Sequence, residues 1–302
     1  MAAEEPGIYL STVEAAEALG VSVSTVKRWV DRGILPAHKT AGGHRRLLRG
    51  EVMALARRGE VPVANMAALV MGAGRRPDVI SVRQALWQAL VAACEAEVGN
   101  ILRRCYAWGM PLETLADQVI APVMEKVGHE WQEQRMEVWQ EHRATQLCAA
   151  ALYDLKEELA TGFDRKAPVA IGGSPEGDPY LLASLLAQLI LLDAGWQAVN
   201  LGPNTPLSSM IKAITVLRPR LVWLSVSHLE DTTEFLRAYS ELYRTAESRN
   251  VAVAVGGRAL TAPLRIQMPY TTHGDTLSHL AAFARVLYTR PKRPRRGRPP
   301  TS

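Results

Sequence analysis

The sequence lacks the features of a disulfide-rich, membrane-spanning or exported protein. Its three cysteines, Cys94, Cys105 and Cys148, are far apart, so neither a disulfide framework nor a CxxC metal site is expected. The apolar stretches, such as residues 181–192, are shorter than the roughly 20 residues of a membrane span. The first ten residues contain no basic region followed by an apolar core, as an export signal would. We therefore expect a soluble cytoplasmic protein without a metal site.

Acidic residues are scarce in two short segments, where positive charge accumulates. Residues 290–302 contain six basic residues and no acidic one, so they contribute +6 to a net charge of +5 and leave the rest at −1. Residues 24–49 hold seven basic residues against Asp31 alone. Two basic segments on a slightly acidic body indicate an anionic polymer as partner.

The order of patterns along the 302 residues predicts three folded parts, a linker and a tail. The predicted parts are a small DNA-binding unit at 1–58, a linker at 59–80, a four-helix bundle at 81–162, an α/β domain at 163–289 and a basic tail at 290–302.

The fold class follows from a change of periodicity. Helical spacing prevails over 81–159, with breaks expected near Gly99, at 109–111 and at 134–136. Beyond the bundle, strand and helix patterns alternate five times, which predicts a parallel five-stranded sheet of the Rossmann or flavodoxin-like type. The last strand is weak and is placed at 268–272. Ligands of such sheets bind beyond the carboxyl ends of the strands.

The first unit begins with the pattern of two short helices and a tight turn. Ser11 and Glu14 form a capping box for the first helix, Gly20 can close it, and Ser22 or Ser24 begins the second helix. A glycine in the turn and a serine cap on the following helix are what a helix-turn-helix requires.

The second of these helices is expected to contact DNA. Hydroxyls and long cations near a helix N-terminus suit phosphates and base edges in the major groove. The residues of this kind are Ser24, Thr25, Lys27 and Arg28.

The run over residues 15–36, followed by Thr-x-Gly-Gly-His-Arg-Arg at 40–46, resembles the winged helix-turn-helix of the MerR family. The resemblance implies that Lys27 and Arg28 enter the major groove. It also implies a hairpin wing that grips the DNA backbone or minor groove. The predicted contacts in and beside this wing are Lys39, His44, Arg45 and Arg46.

The tail contains a second DNA-binding pattern. Arg-Arg-Gly-Arg-Pro-Pro at 295–300 resembles the core of an AT-hook, in which Arg296 and Arg298 would lie in a narrow minor groove. A generic basic arm is the alternative interpretation. In both cases the tail would strengthen DNA binding in a salt-dependent way.

The succession of winged helix-turn-helix, bundle and parallel sheet resembles the light-responsive repressors of the CarH/LitR type. The resemblance implies adenosylcobalamin held by bundle and sheet, and cofactor-driven tetramers that occupy the operator. Trp131, followed after nine residues by Glu141 and His142, matches that family's Trp-x9-Glu-His signature. The resemblance places the tryptophan over the upper face of the cofactor and the Glu-His pair near its adenosyl group.

Other positions depart from that family. Gln132 stands where a histidine covers the upper face of the cofactor. After the first strand Asp178 is retained, but Tyr180 replaces the cobalt-ligating histidine and Ala183 replaces the glycine that lets the nucleotide tail approach. Tyrosine is a poor cobalt ligand because its pKa near 10 keeps the phenol protonated at neutral pH.

Three hypotheses for the sheet domain stay open. Later binding elements of the family are partly retained, namely Ser225 after the third predicted strand and Gly256 and Gly257 after the fourth. The glycines would admit a ligand close to the backbone. The domain has either lost corrin binding and serves interaction or oligomerisation, or binds cobalamin without histidine, or binds another small ligand. Residues expected to line such a site are Trp131, His142, Tyr180 and His228.

The function predicted from these patterns is a DNA-binding transcriptional regulator, a repressor by analogy, and not an enzyme. The sequence contains no glycine-rich phosphate loop, nucleophile elbow or metal-ligand cluster, so no catalytic residue is expected. The protein is expected at the nucleoid as a homo-oligomer whose C-terminal region sets how many DNA-binding heads engage at once. The alternatives are a corrinoid-dependent methyltransferase component and an architectural protein that binds DNA mainly through its tail.

Overall fold

Two compact units make up the chain, residues 1–78 and residues 79–302. The structure, a computed structural model, describes residues 9–39, 45–48, 51–52, 55, 78–160 and 166–289. Within these residues, no helix combines the length and the apolar character needed to span a bilayer.

The first unit contains two helices and a small antiparallel sheet. Its elements in chain order are β1 (Tyr9–Ser11), α1 (Thr12–Leu19), α2 (Val23–Asp31), β2 (Ala37–Lys39) and β3 (Arg45–Leu48). The strands are ordered β1-β3-β2, so that β3 pairs with both neighbours and β2 and β3 form the predicted hairpin.

Local sequence signals explain where these helices begin and end. The capping box forms as predicted: the Ser11 N–H donates to Glu14 Oε2 at 2.6 Å and the Glu14 N–H donates to Ser11 Oγ at 3.2 Å. Gly20 ends α1 with a φ of +67°. Ser22, not Ser24, caps α2, because its Oγ accepts a hydrogen bond from the Thr25 N–H at 3.1 Å.

The first unit has a hydrophobic core of its own. Apolar side chains from both helices, the sheet and the segment after it pack together with almost no exposure. The buried members are Leu10, Ala15, Ala16, Leu19, Val26, Leu35, Leu47, Val52 and Leu55. This core fixes the angle between α1 and α2 and the position of β3 beside them.

The second unit begins with the predicted four-helix bundle. Its third helix contains a π-helical segment and is therefore divided into three pieces. The elements are α3 (Val79–Val91), α4 (Glu95–Ala107), α5 (Leu112–Leu115), the π-helical segment (Ala116–Ile120), α6 (Ala121–Gln132) and α7 (Val138–Ala160).

One break in the bundle differs from the prediction. Gly99 lies buried inside α4, and the chain turns instead at 92–94, where Ala93 has a φ of +52°. A glycine inside a helix costs about 1 kcal/mol relative to alanine, but packing in the bundle outweighs this propensity. The two later breaks are confirmed by Gly109, with a φ of +77°, and Gln134, with a φ of +58°.

The bundle is followed by a parallel sheet with helices between its strands, which confirms the predicted fold class. Its elements are β4 (Val169–Gly173), α8 (Leu182–Asp193), β5 (Gln197–Asn200), α9 (Leu207–Leu217), β6 (Leu221–Ser225), α10 (Thr232–Glu247), β7 (Ala252–Gly256), α11 (Ala262–Arg265), β8 (Thr272–Gly274) and α12 (Leu277–Leu287). The strand order is β5-β4-β6-β7-β8, so the order reverses at β4 and β6.

The last strand lies later than predicted. It spans Thr272–Gly274 and not residues 268–272. Met268 is buried in the core on the α9 and α10 side of the sheet, so its apolar character reflects packing after α11 and not a strand.

Side chains of the bundle form hydrogen bonds and an ion pair with α12, the helix that follows the last strand of the sheet. Asp117, in the π-helical segment, accepts hydrogen bonds from the Leu277 N–H at 2.8 Å and the Ser278 N–H at 2.9 Å, and so caps the N-terminus of α12. Glu113 lies 2.8 Å from Nη1 of Arg285 farther along α12. Bundle and sheet are thus joined by polar contacts as well as by a shared apolar core.

Candidate functional site

The outer face of α2 presents basic side chains to solvent. Ser24, Lys27 and Arg28 are exposed, whereas Val26 is buried and Trp29 packs against the core. In the described part of the chain, no carboxylate forms an ion pair with Lys27 or Arg28. Among the described residues, the α2 face therefore presents two exposed cations without an acidic partner to an anionic molecule.

The hydroxyls at the start of α2 form a small cluster. Oγ of Ser22 lies 2.7 Å from Oγ of Ser24 and 2.8 Å from Oγ1 of Thr25. Both predicted contacts, Ser24 and Thr25, therefore sit at the positive end of the helix dipole, where donors suit a phosphate.

The wing strand β3 carries two arginines with different surroundings. Arg46 is exposed. Arg45 points back to α2: its Nη2 lies 2.7 Å from Asp31 Oδ1, and its Nη1 donates to the Lys27 carbonyl at 3.3 Å. Because Arg45 binds the protein, its predicted DNA contact is less favoured than that of Arg46.

Four further predicted DNA contacts are not described by the structure as side chains. Lys39 is described only as backbone at the end of β2. His44, Arg296 and Arg298 lie outside the described residues.

At the carboxyl edge of the parallel sheet, Asp178 fastens two loops together. Its buried carboxylate accepts hydrogen bonds from the Tyr180 N–H at 3.0 Å, the Ser227 N–H at 2.6 Å and the His228 N–H at 3.2 Å. The loop after β4 is thereby tied to the loop after β6. Asp178 lies at the predicted place, but the contacts that it makes are internal.

Tyr180 and Arg258 cover the same edge from outside. Tyr180 is 47% exposed, and the guanidinium carbon of Arg258 lies 4.7 Å from the centre of its ring. Nε of Arg258 also donates to the Ser227 carbonyl at 3.2 Å. A cation over an aromatic ring at an exposed site contributes about 0.5–1 kcal/mol. The Tyr180 side chain is therefore held by a neighbour from the loop after β7.

The two glycines at the end of β7 are required by the protein's own backbone. Gly257 has a φ of +118°, and a Cβ there would lie 2.2 Å from the Val226 carbonyl oxygen. A Cβ on Gly256 would lie 2.8 Å from the Gly274 carbonyl oxygen. The predicted close approach of a ligand is thus taken by neighbouring strands, while Ser225 is buried at the end of β6.

The bundle residues predicted to face a cofactor lie near the junction of α6 and α7. Trp131 is 44% exposed, and Gln132 beside it is also exposed. Glu141 Oε1 accepts a hydrogen bond from Thr145 Oγ1 at 3.0 Å, while its Oε2 lies 3.6 Å from Nε2 of the exposed His142. These side chains are accessible to a ligand, although Glu141 is partly engaged.

The bundle also contains two buried thiols. Burial raises the pKa of Cys148 to about 12 and that of Cys105 to about 11, against a lowering by Arg104 in the second case. Both stay protonated at neutral pH and pack as small apolar side chains. Within the described residues, no group of three or more His, Cys, Asp or Glu side chains is placed to hold a metal ion.

Comparison with known proteins found matches to both the first unit and the bundle. A helix-turn-helix domain model matches residues 9–60, and a B12 binding domain model matches residues 82–156, which lie in the bundle. The chain is 29% identical over 266 residues to the HTH-type transcriptional repressor CarH of Myxococcus xanthus, covering 81% of this chain and 87% of the relative. It is 25% identical over 182 residues to the repressor CarA of the same organism, covering 60% of each.

The chain is thus similar in sequence to two repressors, CarH and CarA. Among solved structures, the monomethylamine corrinoid protein of Methanosarcina barkeri has a TM-score of 0.58 and 17% identity, covering 70% of this chain and all of that chain. This likeness shows that the bundle and sheet share a fold with a corrinoid protein.

The carboxyl edge of the sheet does not fit a corrinoid held through the histidine that the resemblance implies. Tyr180, which the resemblance places at the ligand position, is stacked under Arg258. Beneath it, the indole of Trp223 lies against Gly172, so that space inside the edge is filled by the protein. We therefore derive no chemistry from a cobalt ion at this edge.

Sequence reasoning missed three residues that shape the edge from within, Trp223, Ser184 and Asn200. They are linked by hydrogen bonds and come from β6, α8 and β5. Their proximity depends on strand order and register, which no local pattern reveals. Arg258 was missed for the same reason.

Proposed function

We propose that this chain is a DNA-binding transcriptional repressor whose α2 enters the major groove. The observation that carries the proposal is the exposed face of α2, on which Lys27 and Arg28 project without an acidic partner among the described residues. The surrounding residues match a helix-turn-helix domain, and both curated relatives are named transcriptional repressors. Arg46 on the wing strand and the basic tail at 290–302 supply further phosphate contacts.

The test begins with the full-length chain and a pool of random duplexes, from which a preferred operator is selected. Lys27→Ala and Arg28→Ala are then compared with the wild type by binding titration at several salt concentrations. If the replaced residue contacts bases, the variant loses about 1–3 kcal/mol of binding free energy and the sequence preference relaxes at one position of the operator. A residue that contacts phosphate weakens all sequences and lowers the salt slope by about 1.

A matched control separates a specific contact from loss of charge. Arg244, on α10 of the second unit, carries the same charge, and Arg244→Ala should leave operator affinity unchanged. Unchanged affinity in both α2 variants would contradict the proposal. So would a chain that loses all binding on deletion of residues 290–302, since DNA binding would then be a property of the tail.

The second unit is proposed to set how many DNA-binding units act together. We place the linker at 59–80 and the regulatory region at 81–289. Joining binding units raises apparent affinity about 10²–10⁴-fold without new contacts. Residues 1–78 form a compact unit with their own core, so they serve as the monovalent reference in the same titration. Equal operator affinity of this fragment and the full chain would contradict this part of the proposal.

A further inference from the structure

One row of residues crosses the parallel sheet just inside its carboxyl edge. Asn200 on β5 is in register with Gly172 on β4, which is in register with Trp223 on β6 and, beyond it, Ala254 on β7. Residues paired across adjacent strands face the same side of a sheet. Trp223 packs on that side with residues of α8 and α12, so this row faces those two helices.

Gly172 provides a flat floor for the indole of Trp223. A Cβ on this glycine would lie 2.2 Å from Cδ2 and 2.5 Å from Cε2 of the indole. The ring therefore rests on the backbone of β4, and no other residue type would leave it room. Trp223 is only 2% exposed. The result is a ring-sized slot with a glycine floor that is fully occupied.

A hydrogen-bond chain orients the ring in this slot. Nε1 of Trp223 donates to Oγ of Ser184 on α8 at 3.2 Å, and Ser184 Oγ donates to Oδ1 of Asn200 at 3.1 Å. The Gly202 N–H donates to the same Asn200 oxygen at 2.9 Å. Because the Ser184 hydroxyl donates its hydrogen bond to Asn200, its oxygen acts as the acceptor for the indole N–H. The slot therefore holds a planar ring whose N–H faces a hydrogen-bond acceptor.

The slot also lies where a ligand of this fold would bind. In open parallel sheets, ligands bind at the carboxyl ends of the strands, at the point where strand order reverses. Here that point lies between β4 and β6, the two strands that form the floor and carry the indole.

The geometry points to a cryptic site for a planar heteroaromatic N–H compound, filled from within by Trp223. The chain supplies the ring itself, so the sheet domain reaches its packed state without an external ligand. Removal of the indole opens a site whose floor is Gly172 and whose polar partner is Ser184. This inference does not depend on the proposed DNA-binding function, because it concerns only the second unit.

Trp196 offers a matched control in the same core. It is 1% exposed and packs in the same apolar cluster as Trp223, but its Nε1 has no hydrogen-bond partner within the described residues. A cavity left by Trp196 would thus have the same size without the acceptor. The two positions differ in the feature that the proposal requires.

The experiment measures thermal unfolding of full-length Trp223→Gly and Trp196→Gly with added indole or benzofuran. These probes have the same shape, but benzofuran replaces the N–H with an oxygen. Ligands that bind the native state raise the melting temperature, and apolar cavities of this size bind small aromatic rings. We expect Trp223→Gly to bind indole about fivefold more tightly than benzofuran, as one hydrogen bond predicts, and Trp196→Gly to bind both equally.

Three results would overturn the inference. The first is equal binding of indole and benzofuran by Trp223→Gly. The second is a rise in the melting temperature of the wild-type chain with indole, and the third is retention of adenosylcobalamin by the wild-type chain, measured from its absorption spectrum after gel filtration in the dark. If Trp223→Gly is unfolded alone, dilution from urea into each probe gives the same comparison, with refolding expected in indole and not in benzofuran. Refolding in neither probe contradicts the proposal.

Discussion

The outer face of α2 and the carboxyl edge of the sheet differ in whether their polar side chains already have partners within the protein. On α2, Lys27 and Arg28 are exposed and have no acidic partner in the described residues. At the sheet edge, Asp178 and Arg258 are engaged by the protein itself. A polyanion can bind the first surface without breaking any contact, whereas a ligand at the second must displace internal ones. The difference separates a surface whose charged side chains are available to a partner from an edge whose polar groups already have partners within the protein.

The largest expected effect comes from breaking the closed edge at Asp178. Asp178→Ala removes the acceptor of three partly buried backbone N–H groups and leaves them without this partner. Each unsatisfied donor costs about 1–3 kcal/mol, so we expect a loss of about 3 kcal/mol or more in the free energy of unfolding. Urea unfolding of the full chain, followed by tryptophan fluorescence, measures it.

Asp178→Asn is the control for this variant. It keeps one carbonyl oxygen as an acceptor and should lose clearly less stability than Asp178→Ala. If alanine costs under about 1 kcal/mol, water reaches these donors and the edge is open to ligands after all. The contrast between the two surfaces would then be wrong.

A smaller effect is expected at the open surface. Ser22→Ala removes the cap of α2 and the centre of the hydroxyl cluster, which costs about 1 kcal/mol of stability in the first unit. Since α2 carries the proposed DNA contacts, operator affinity should fall with it. Ser22→Asp preserves the capping acceptor and should restore stability. Equal stability of the alanine and aspartate variants would show that α2 is held by its core alone.

The smallest effect concerns the joint between bundle and sheet. Burial alone would raise the pKa of Glu113, but the hydrogen bond and charge of Arg285 outweigh it and lower the pKa overall. A lowered pKa in the folded state stabilises the protein above the unfolded value of about 4.3, and this stabilisation is lost as pH falls through the folded pKa. Glu113→Gln should therefore cost about 0.5 kcal/mol at pH 7, because Arg285 is half exposed.

Urea unfolding at neutral and acid pH tests the direction of this pH dependence. The difference in the free energy of unfolding between wild type and Glu113→Gln should shrink as the pH falls through the lowered folded pKa, where the wild-type carboxylate takes up its proton. In an Arg285→Ala background the same substitution should have little effect. A difference that grows in acid, or that persists without Arg285, would assign the effect to another partner of Glu113.

Local signals in the sequence predicted much of the fold and part of the site. The capping box at Ser11 and Glu14 needs only contacts three residues apart, and it forms as expected. Gly99 misled because a single glycine is tolerated in a packed helix. The DNA contacts on α2 could be proposed from residue type and helical spacing, but the engagement of Arg45 by Asp31 required the strand to be placed beside the helix.

The sequence by itself determined the order of the parts, since helix caps, turn glycines and the alternation of strand and helix are encoded over a few residues. It also determined which α2 side chains are charged. Only the tertiary structure decided that Trp223 covers Gly172, that Ser184 and Asn200 orient it, and that Asp178 joins two loops. These contacts connect residues far apart in the chain. They exist because strand order and register bring three strands and a helix together, and a single register shift would abolish them.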